Sequence, residues 1–527
     1  MDCSAVYLSY KGPHVPEEMK KQKKVYILRR GNQIAVSPTT STIRNLLIPE
    51  LTFVERKMLR GREARIAKHA GQSQFVAIDH ECWFLDRNGL LVTSYGFWSR
   101  VYDKLAAAGY RVSMRQRKIS PEKSRRYKIY WERLSQFSLR AGQPEFFAKL
   151  LSRDCGRFSA PPGFGKSFAM RVIGTLLPHA RIDIVAKEKS VLYETLYVEL
   201  AAALPDVGIV GAGKNVRGRR IMCYMADSLH KSDGDADILI ADEAHQLCTD
   251  RYAERLGRYL DSWNYGLSAS LDMRPDGLDF RSEAVFGPTV FTMTYREAQE
   301  AGLVVPITVF WSNVIMDFDP ESGCREHERD LFGIWANEHR NSVIAEDARR
   351  YDASTQVLIN VDKVEHAVRL KSLLPEYTLV YGEASMDLDR LDAFKRSGLL
   401  PPEEELVTSE RRHELTKLFK AGKLTKVIST VFKTGVNSPT LGVVIRGDGQ
   451  SSPISDIQVP GRASRITGEK SEGIIHDYLD QFNSRCRRKA KRRQKSYEGQ
   501  QWTQVFPRGT YSEPNQLSLY DDDLWED

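Results

Sequence analysis

The segment that most constrains this chain is Ala160-Pro161-Pro162-Gly163-Phe164-Gly165-Lys166-Ser167. It comes after a strand-like run at 156–159 and opens a helical stretch, so its surroundings are expected to be α/β. Phosphates need backbone N–H groups that approach closely, a lysine to meet the terminal phosphates, and a hydroxyl to hold Mg²⁺. Gly163, Gly165, Lys166 and Ser167 supply all of these, with Pro162 and Phe164 in the same loop. A turn of this composition also arises by chance, and Ala160 stands where the general pattern has a glycine.

A hydrolysing site built on such a loop also needs an acid at a neighbouring strand end for the metal and a carboxylate to orient water. Ile238-Leu239-Ile240-Ala241-Asp242-Glu243-Ala244-His245 offers both. Asp242 is the candidate Mg²⁺ group, together with Ser167, and Glu243 the candidate for polarising the attacking water. Adjacent acids at a strand end also serve as a helix N-cap pair. From about residue 140 onward short apolar runs at 181–186, 237–241, 265–268, 356–361, 378–381, 426–430, 443–446 and 473–476 read as strands. They alternate with amphipathic stretches at 190–203, 364–374 and 411–421. That alternation predicts doubly wound parallel layers. Two fit the length of 527 residues, with a joint between 301 and 320. No short fixed-period repeat points to a solenoid.

The first part of the chain reads differently. Runs at 24–28, 75–78 and 90–94 look like strands, 96–108 like an amphipathic helix, and 111–126 like a linker or an exposed edge. Residues 1–140 hold 27 Lys and Arg against 12 Asp and Glu, although the whole chain carries only +8. Such a block is the footprint of a polyanion binder, and a solvated surface gives the same count. Residues 485–495 carry eight Lys and Arg before an acidic end, which reads as a solvated helix with a tail or as a polyanion-contacting helix. The seven cysteines are dispersed and odd in number, against both a disulfide framework and a zinc knuckle. With no apolar run of about 18 residues and no leader-like start, a cytoplasmic, soluble protein is expected.

The two chemistry-bearing segments, taken in order with three motifs downstream of them, resemble superfamily 2 helicases and translocases of the DEAH type. Ser268-Ala269-Ser270 resembles that family's third motif, Thr430-Val431-Phe432-Lys433-Thr434-Gly435-Val436-Asn437 the fifth, and Gln458-Val459-Pro460-Gly461-Arg462-Ala463-Ser464-Arg465 the sixth. Upstream, Leu139-Arg140-Ala141-Gly142-Gln143 resembles the element in which a glutamine reads the adenine edge; an ordinary helix-entry glutamine is the plain alternative. Phe286-Gly287-Pro288, Gly302-Leu303-Val304 and the bare core are most similar to the phage UvsW-like and XPB-like DNA helicases.

The resemblance spans about 136–480. It implies two tandem RecA-like domains at 136–308 and 309–484, after a small basic α+β domain at 1–135 and before a tail at 485–527. By the same resemblance, ATP and Mg²⁺ are the cofactors. Gln143, Pro162, Gly163, Phe164, Gly165, Gly435 and Asn437 line the nucleotide, with Lys166, Asp242, Glu243, Gln458, Arg462 and Arg465 in catalysis. His245, Ser268 and Ser270 couple the nucleotide pocket to nucleic acid, and Lys187, Ser228 and Thr430 contact the strand. Fixed guanidiniums meet charge developing on the γ-phosphate, with Arg465 the better finger; the two arginines also fit surface ion pairs. Lys187 is equally an exposed lysine. Departures from the family pattern are Pro162, Phe164, Met225 and Asn437. The expected function is an ATP-dependent DNA helicase or translocase on single-stranded, forked or branched DNA. An RNA helicase and an annealing or architectural protein with an ATP-controlled affinity are the rivals.

Overall fold

The computed structural model describes residues 23–507, apart from 60–61, 64–65, 68–69, 71–72, 74, 117–119, 189–191, 193–195, 212, 272–273, 275, 433–437 and 467–469. The described chain forms two compact units, 23–160 with 166–292, and 293–507 with the loop 161–165.

The first unit begins with strands β1 (Lys24–Arg30), β2 (Gln33–Ser37), β3 (Thr52–Met58), β4 (Phe75–Glu81), β5 (Trp83–Leu85), β6 (Leu91–Ser94) and β7 (Arg111–Gln116). Five of them make a sheet in the order β5-β6-β2-β1-β7, antiparallel except for the β1–β7 pair; β3 and β4 form a separate hairpin. Alternation puts Val25, Ile27, Ile34 and Val36 on one face, where helices Ser41–Leu47 and Trp98–Ala107 cover them with Ile43, Leu47, Val101 and Leu105. The basic run starting at Arg111 is therefore a sheet edge over β7, then a short helix, Pro121–Arg126, capped by Ser120.

The larger sheet of this unit is built from β8 (Cys155–Ser159), β9 (Ile182–Ala186), β10 (Val207–Gly211), β11 (Lys214–Val216), β12 (Ile221–Met225), β13 (Ile238–Asp242), β14 (Trp263–Ser268) and β15 (Thr289–Thr292). Its order is β11-β10-β12-β9-β13-β14-β8-β15, with β11 the one antiparallel strand among the described residues. β9 and β13 are buried at every position, as strands covered on both faces must be.

These two parts of the first unit share one apolar core. Cys155, Cys248 and Phe280 pack with Val25, Ile27 and Phe97, and the Phe53 ring stacks on Phe280 at 4.7 Å. Arg100 donates to both carboxylate oxygens of Glu283, at 2.5 and 2.7 Å, while Tyr95 Oη donates to Asp154 at 2.8 Å. The segment between them also packs down, with Tyr127 stacked on Trp263 and donating to the Asp237 and Asp261 carbonyls.

The second unit holds β16 (Ile307–Val314), β17 (Val357–Asn360), β18 (Thr378–Val380), β19 (Lys426–Ser429), β20 (Val443–Arg446), β21 (Gly473–Asp480) and β22 (Thr503–Val505). The order is β18-β19-β17-β20-β21-β16-β22, parallel throughout. β16 occupies the stretch expected to be a joint. The basic run at 485–495 lies in helix Ser484–Gly499, and one face of that helix is not solvated. Arg493 is fully buried 3.0 Å from Asp477, Arg485 pairs with Glu321 and Asp330, and Lys489 with Asp330. The two parallel sheets, each wound with helices, are the tandem RecA-like arrangement, with a small α+β part in front. No described helix is long and apolar enough to cross a membrane.

Candidate functional site

In a wound parallel sheet, loops leaving the carboxyl ends of the strands gather chemistry at one edge. β8 ends at Ser159, and the next loop turns through Gly163 and Gly165 at φ 95° and 102°, a left-handed backbone that glycine adopts without strain. The loop delivers Lys166 and Ser167 to the start of helix Lys166–Leu176, and the N–H groups of a helix start favour an anion. Phe164 is buried and donates its N–H to the Pro161 carbonyl, so it serves as the loop's internal anchor.

β13 ends at Asp242, and Glu243 comes next at φ 48° and ψ 53°. A left-handed glutamate is strained, and strain of this kind concentrates at functional positions. Lys166 Nζ lies 2.6 Å from Glu243 Oε1, and Ser268 Oγ, at the end of β14, donates to Glu243 Oε2 at 3.3 Å. Ser268 Oγ is also 2.7 Å from His245 Nδ1 and accepts the Ser270 N–H at 3.0 Å. Lys166, Glu243, His245, Ser268 and Ser270 thus form one chain of contacts, drawn from three strand ends.

The electrostatics separate three ionisable groups here, Glu243, Asp242 and His245. Burial works against charge on Glu243, but Lys166 and His245 outweigh it and hold its carboxyl below the usual range. Burial pushes Asp242 up to about 6, with Lys166 opposing and Glu243 adding. Burial likewise pushes His245 down to about 4, so at neutral pH it is an uncharged hydrogen-bonding ring. Among the described residues Asp242 Oδ1 is buried with no hydrogen-bond partner. An orphaned carboxylate oxygen suits a hard cation with oxygen ligands, and Ser167 supplies a hydroxyl.

Other sequence candidates fall elsewhere. Gln143 starts helix Gln143–Leu151, is buried, and accepts the Arg140 N–H at its own Oε1. Lys187 is exposed just past β9, its Nζ 6.0 Å from the Tyr252 ring centroid. Ser228 is half-buried in the 3₁₀ turn Ala226–Lys231 after β12.

In the second unit, Thr430 comes directly after β19 and donates its N–H to the Val380 carbonyl. Gln458 ends helix Pro453–Gln458, and Arg462 sits in the 3₁₀ turn Pro460–Ser464. Arg465 forms an isolated bridge with Val304, while the Val305 N–H donates to the Ser464 carbonyl at 2.7 Å. Gly435 and Asn437 lie outside the described residues.

Two features were missed in the sequence. Arg274 Nη1 donates to the His245 carbonyl and pairs with Asp276, pinning the turn after Glu243. Asp456, two residues before Gln458, is fully buried 2.9 Å from the equally buried Arg446. An acid that close to the sixth segment was the available clue.

A glycine loop after one strand and an acidic pair after another, on an open parallel sheet, define the layout of a P-loop NTPase domain. No protein-family model matches the chain, and no curated protein does. Among solved structures it is similar to T4 UvsW, at 16% identity and TM-score 0.38 over 92% of this chain and 99% of that one. It is also similar to S. cerevisiae Dbp5 bound to RNA and ADP BeF3, at 16% and 0.49 over 74% and 94%. A fragment of a putative HsdR subunit of a type I restriction enzyme from Vibrio vulnificus gives 17% and 0.48 over 80% and 78%. Likenesses at these values assign no activity to this chain.

Proposed function

We propose that the chain is an ATP-dependent DNA helicase or translocase, acting on branched or forked DNA in replication, recombination or repair. The observation that carries this reading is the contact chain Lys166–Glu243–Ser268–His245, which links a phosphate loop to a candidate base and onward to a third strand end. Lys166 and the loop N–H groups hold the phosphates of ATP. Ser167 and Asp242 hold Mg²⁺, which when bound neutralises phosphate charge. Glu243, kept ionised beside Lys166, orients the attacking water and accepts its proton at a carboxylate oxygen. Gln143 takes the adenine edge, and Gly435 and Asn437 the sugar side.

From the second unit Gln458, Arg462 and Arg465 meet the charge that develops on the γ-phosphate. His245, Ser268 and Ser270 relay the state of the nucleotide to residues that grip the strand, Lys187, Ser228 and Thr430. Grip on phosphates rather than bases lets stepping ignore sequence. The basic part at 1–135 supplies affinity and preference for forks by shape.

The test is ATP hydrolysis by the full chain with single-stranded DNA, branched DNA or RNA added. Stimulation greatest with branched DNA is expected. Stimulation by RNA alone makes the chain an RNA helicase, and hydrolysis unaffected by any nucleic acid overturns the reading.

A further inference from the structure

The nucleotide loop and the candidate strand-gripping residues all lie past the carboxyl ends of parallel strands. At the opposite, amino end of the same sheet lies a cavity of about 250 Å³ whose lining is dominated by cations. Arg181 enters it just ahead of β9, Arg217, Arg219 and Arg220 from the turn between β11 and β12, and Lys231 from the end of the 3₁₀ turn after β12. These segments are distant in sequence, and sheet order alone brings them together, since β9 and β12 are neighbours.

The turn that presents the arginines is built. A Cβ on Gly208 would fall on the Gly218 amide, and one on Gly218 would fall on the Asp206 carbonyl and the Gly208 amide. No side chain fits between these backbones, so Arg217 and Arg219 flank a fixed point.

The acids of the cavity are already committed. Asp183 accepts from Tyr259 Oη at 2.6 Å and from Ser232 Oγ at 2.8 Å, and Asp233 pairs with Arg181. Arg220 donates to the carbonyls of Gly174 and Leu177. Among the described residues Arg217, Arg219 and Lys231 make no ion pair, and all three are exposed. Two guanidiniums and an ammonium around one small cavity match the oxygens of a phosphate group, which guanidinium forks bind in a bidentate way.

We propose that this cavity is a second phosphate-binding site, separate from the nucleotide loop, taking a backbone phosphate of a nucleic-acid strand or a free polyphosphate. The strand as source rests on the function proposed above; the polyphosphate does not.

The experiment modifies arginines of the full chain with phenylglyoxal and maps the products by mass spectrometry. Runs are made without ligand, with sodium pyrophosphate, and with single-stranded oligothymidylate. In parallel, oligothymidylate affinity is titrated against salt for the wild type and for Arg217→Ala/Arg219→Ala, whose exposed positions leave the melting temperature unchanged. Protection of Arg217 and Arg219 by the oligonucleotide is expected. With it, affinity should fall on the order of tenfold and the salt slope should become shallower by about 1.4, two single-strand phosphates at about 0.7 each. Protection by pyrophosphate alone keeps the site and assigns it to free polyphosphate. An oligonucleotide that fails to bind the wild type at all counts against the proposed function, while the pyrophosphate run still decides the site. No protection by either ligand, with an unchanged double variant, overturns the inference.

Discussion

Lys166 Nζ and Glu243 Oε1 stand 2.6 Å apart, joining the start of the loop's helix to the residue after β13. Each member of the pair therefore has a separate role to lose. Glu243→Gln keeps the shape and removes the proton acceptor, so it should bind ATP normally and turn over at least about 100-fold more slowly, the usual scale of general-base loss. Lys166→Ala should lose nucleotide affinity as well. Single-turnover kinetics with a fluorescent ATP analogue separate the two, and normal turnover in Glu243→Gln removes that residue from the catalytic role.

Arg465, whose backbone bridges to Val304, acts in the proposed function on the transition state and not on the ground state. Arginine fingers in phosphoryl transfer contribute about 10³ to 10⁵ in turnover. Arg465→Ala should cut kcat on that scale with little change in nucleotide affinity. A wild-type kcat would take the finger role away from it.

Gly96 packs directly on helix Asp279–Phe286, where an added Cβ would fall on the Glu283 carbonyl oxygen. Backbone cannot yield as a flexible side chain does. Gly96→Ala should cost about 2 kcal/mol or more, on the scale of overpacked cores, seen as a lower urea midpoint. The same shared core argues that a chain beginning near Pro121 would expose Phe280 and Cys155, and would not behave as a free-standing ATPase core. An undiminished urea midpoint in Gly96→Ala would mean that this contact is loose.

The buried ion-pair network offers a test of what fixes the sixth segment. Asp456, Arg446, Tyr497, Arg493 and Asp477 are all fully buried, and Tyr497 Oη donates to Asp477 at 2.6 Å while accepting from Arg446 at 3.0 Å. Asp456→Ala removes one of two acids beside Arg446, which keeps Asp448 at 3.2 Å, so it should cost about 1.5 to 3 kcal/mol, the scale of a lost hydrogen bond to a charged group. Tyr497→Phe, which removes only the hydroxyl, should cost about 1 to 3 kcal/mol. Chemical denaturation checks both, and equal small losses would mean water replaces the missing groups.

The placement of the loop and the acidic pair at strand ends was legible in the sequence because the turn needs glycine at Gly163 and Gly165, both at positive φ, and because Asp242 ends an unbroken apolar run. β16 was not legible, since Thr308, Ser312 and Asn313 interrupt its apolar pattern although the strand sits between two others. β10 and β12 were missed because each is only five residues long, and in β10 glycines dilute the apolar run as well. The basic helix misled because charge counts do not show partners. Its Arg485 answers Glu321, 164 residues away, and its Arg493 answers Asp477 on the strand just before the helix. The strained backbone of Glu243 is a tertiary property that the letters Asp-Glu do not carry.

Asp183 gives the prediction that depends on pH. Burial raises its carboxyl to about 6, against the opposing hydrogen bonds from Tyr259 and Ser232; Asp233 adds to the rise and Arg181 opposes it. Between about 3.8 and 6 the folded chain then binds a proton that the unfolded chain does not. Stability from this group therefore rises as pH falls through 6, and above 6 its charge carries a cost. That cost is at most about 3 kcal/mol, at about 1.36 kcal/mol for each pH unit of displacement. Asp183→Asn keeps an acceptor for Tyr259 and Ser232 without the charge. The variant should melt higher than the wild type at about pH 8, and the advantage should shrink toward about pH 4. Thermal melts across that range decide it: a difference independent of pH would show that Asp183 is not the group that titrates.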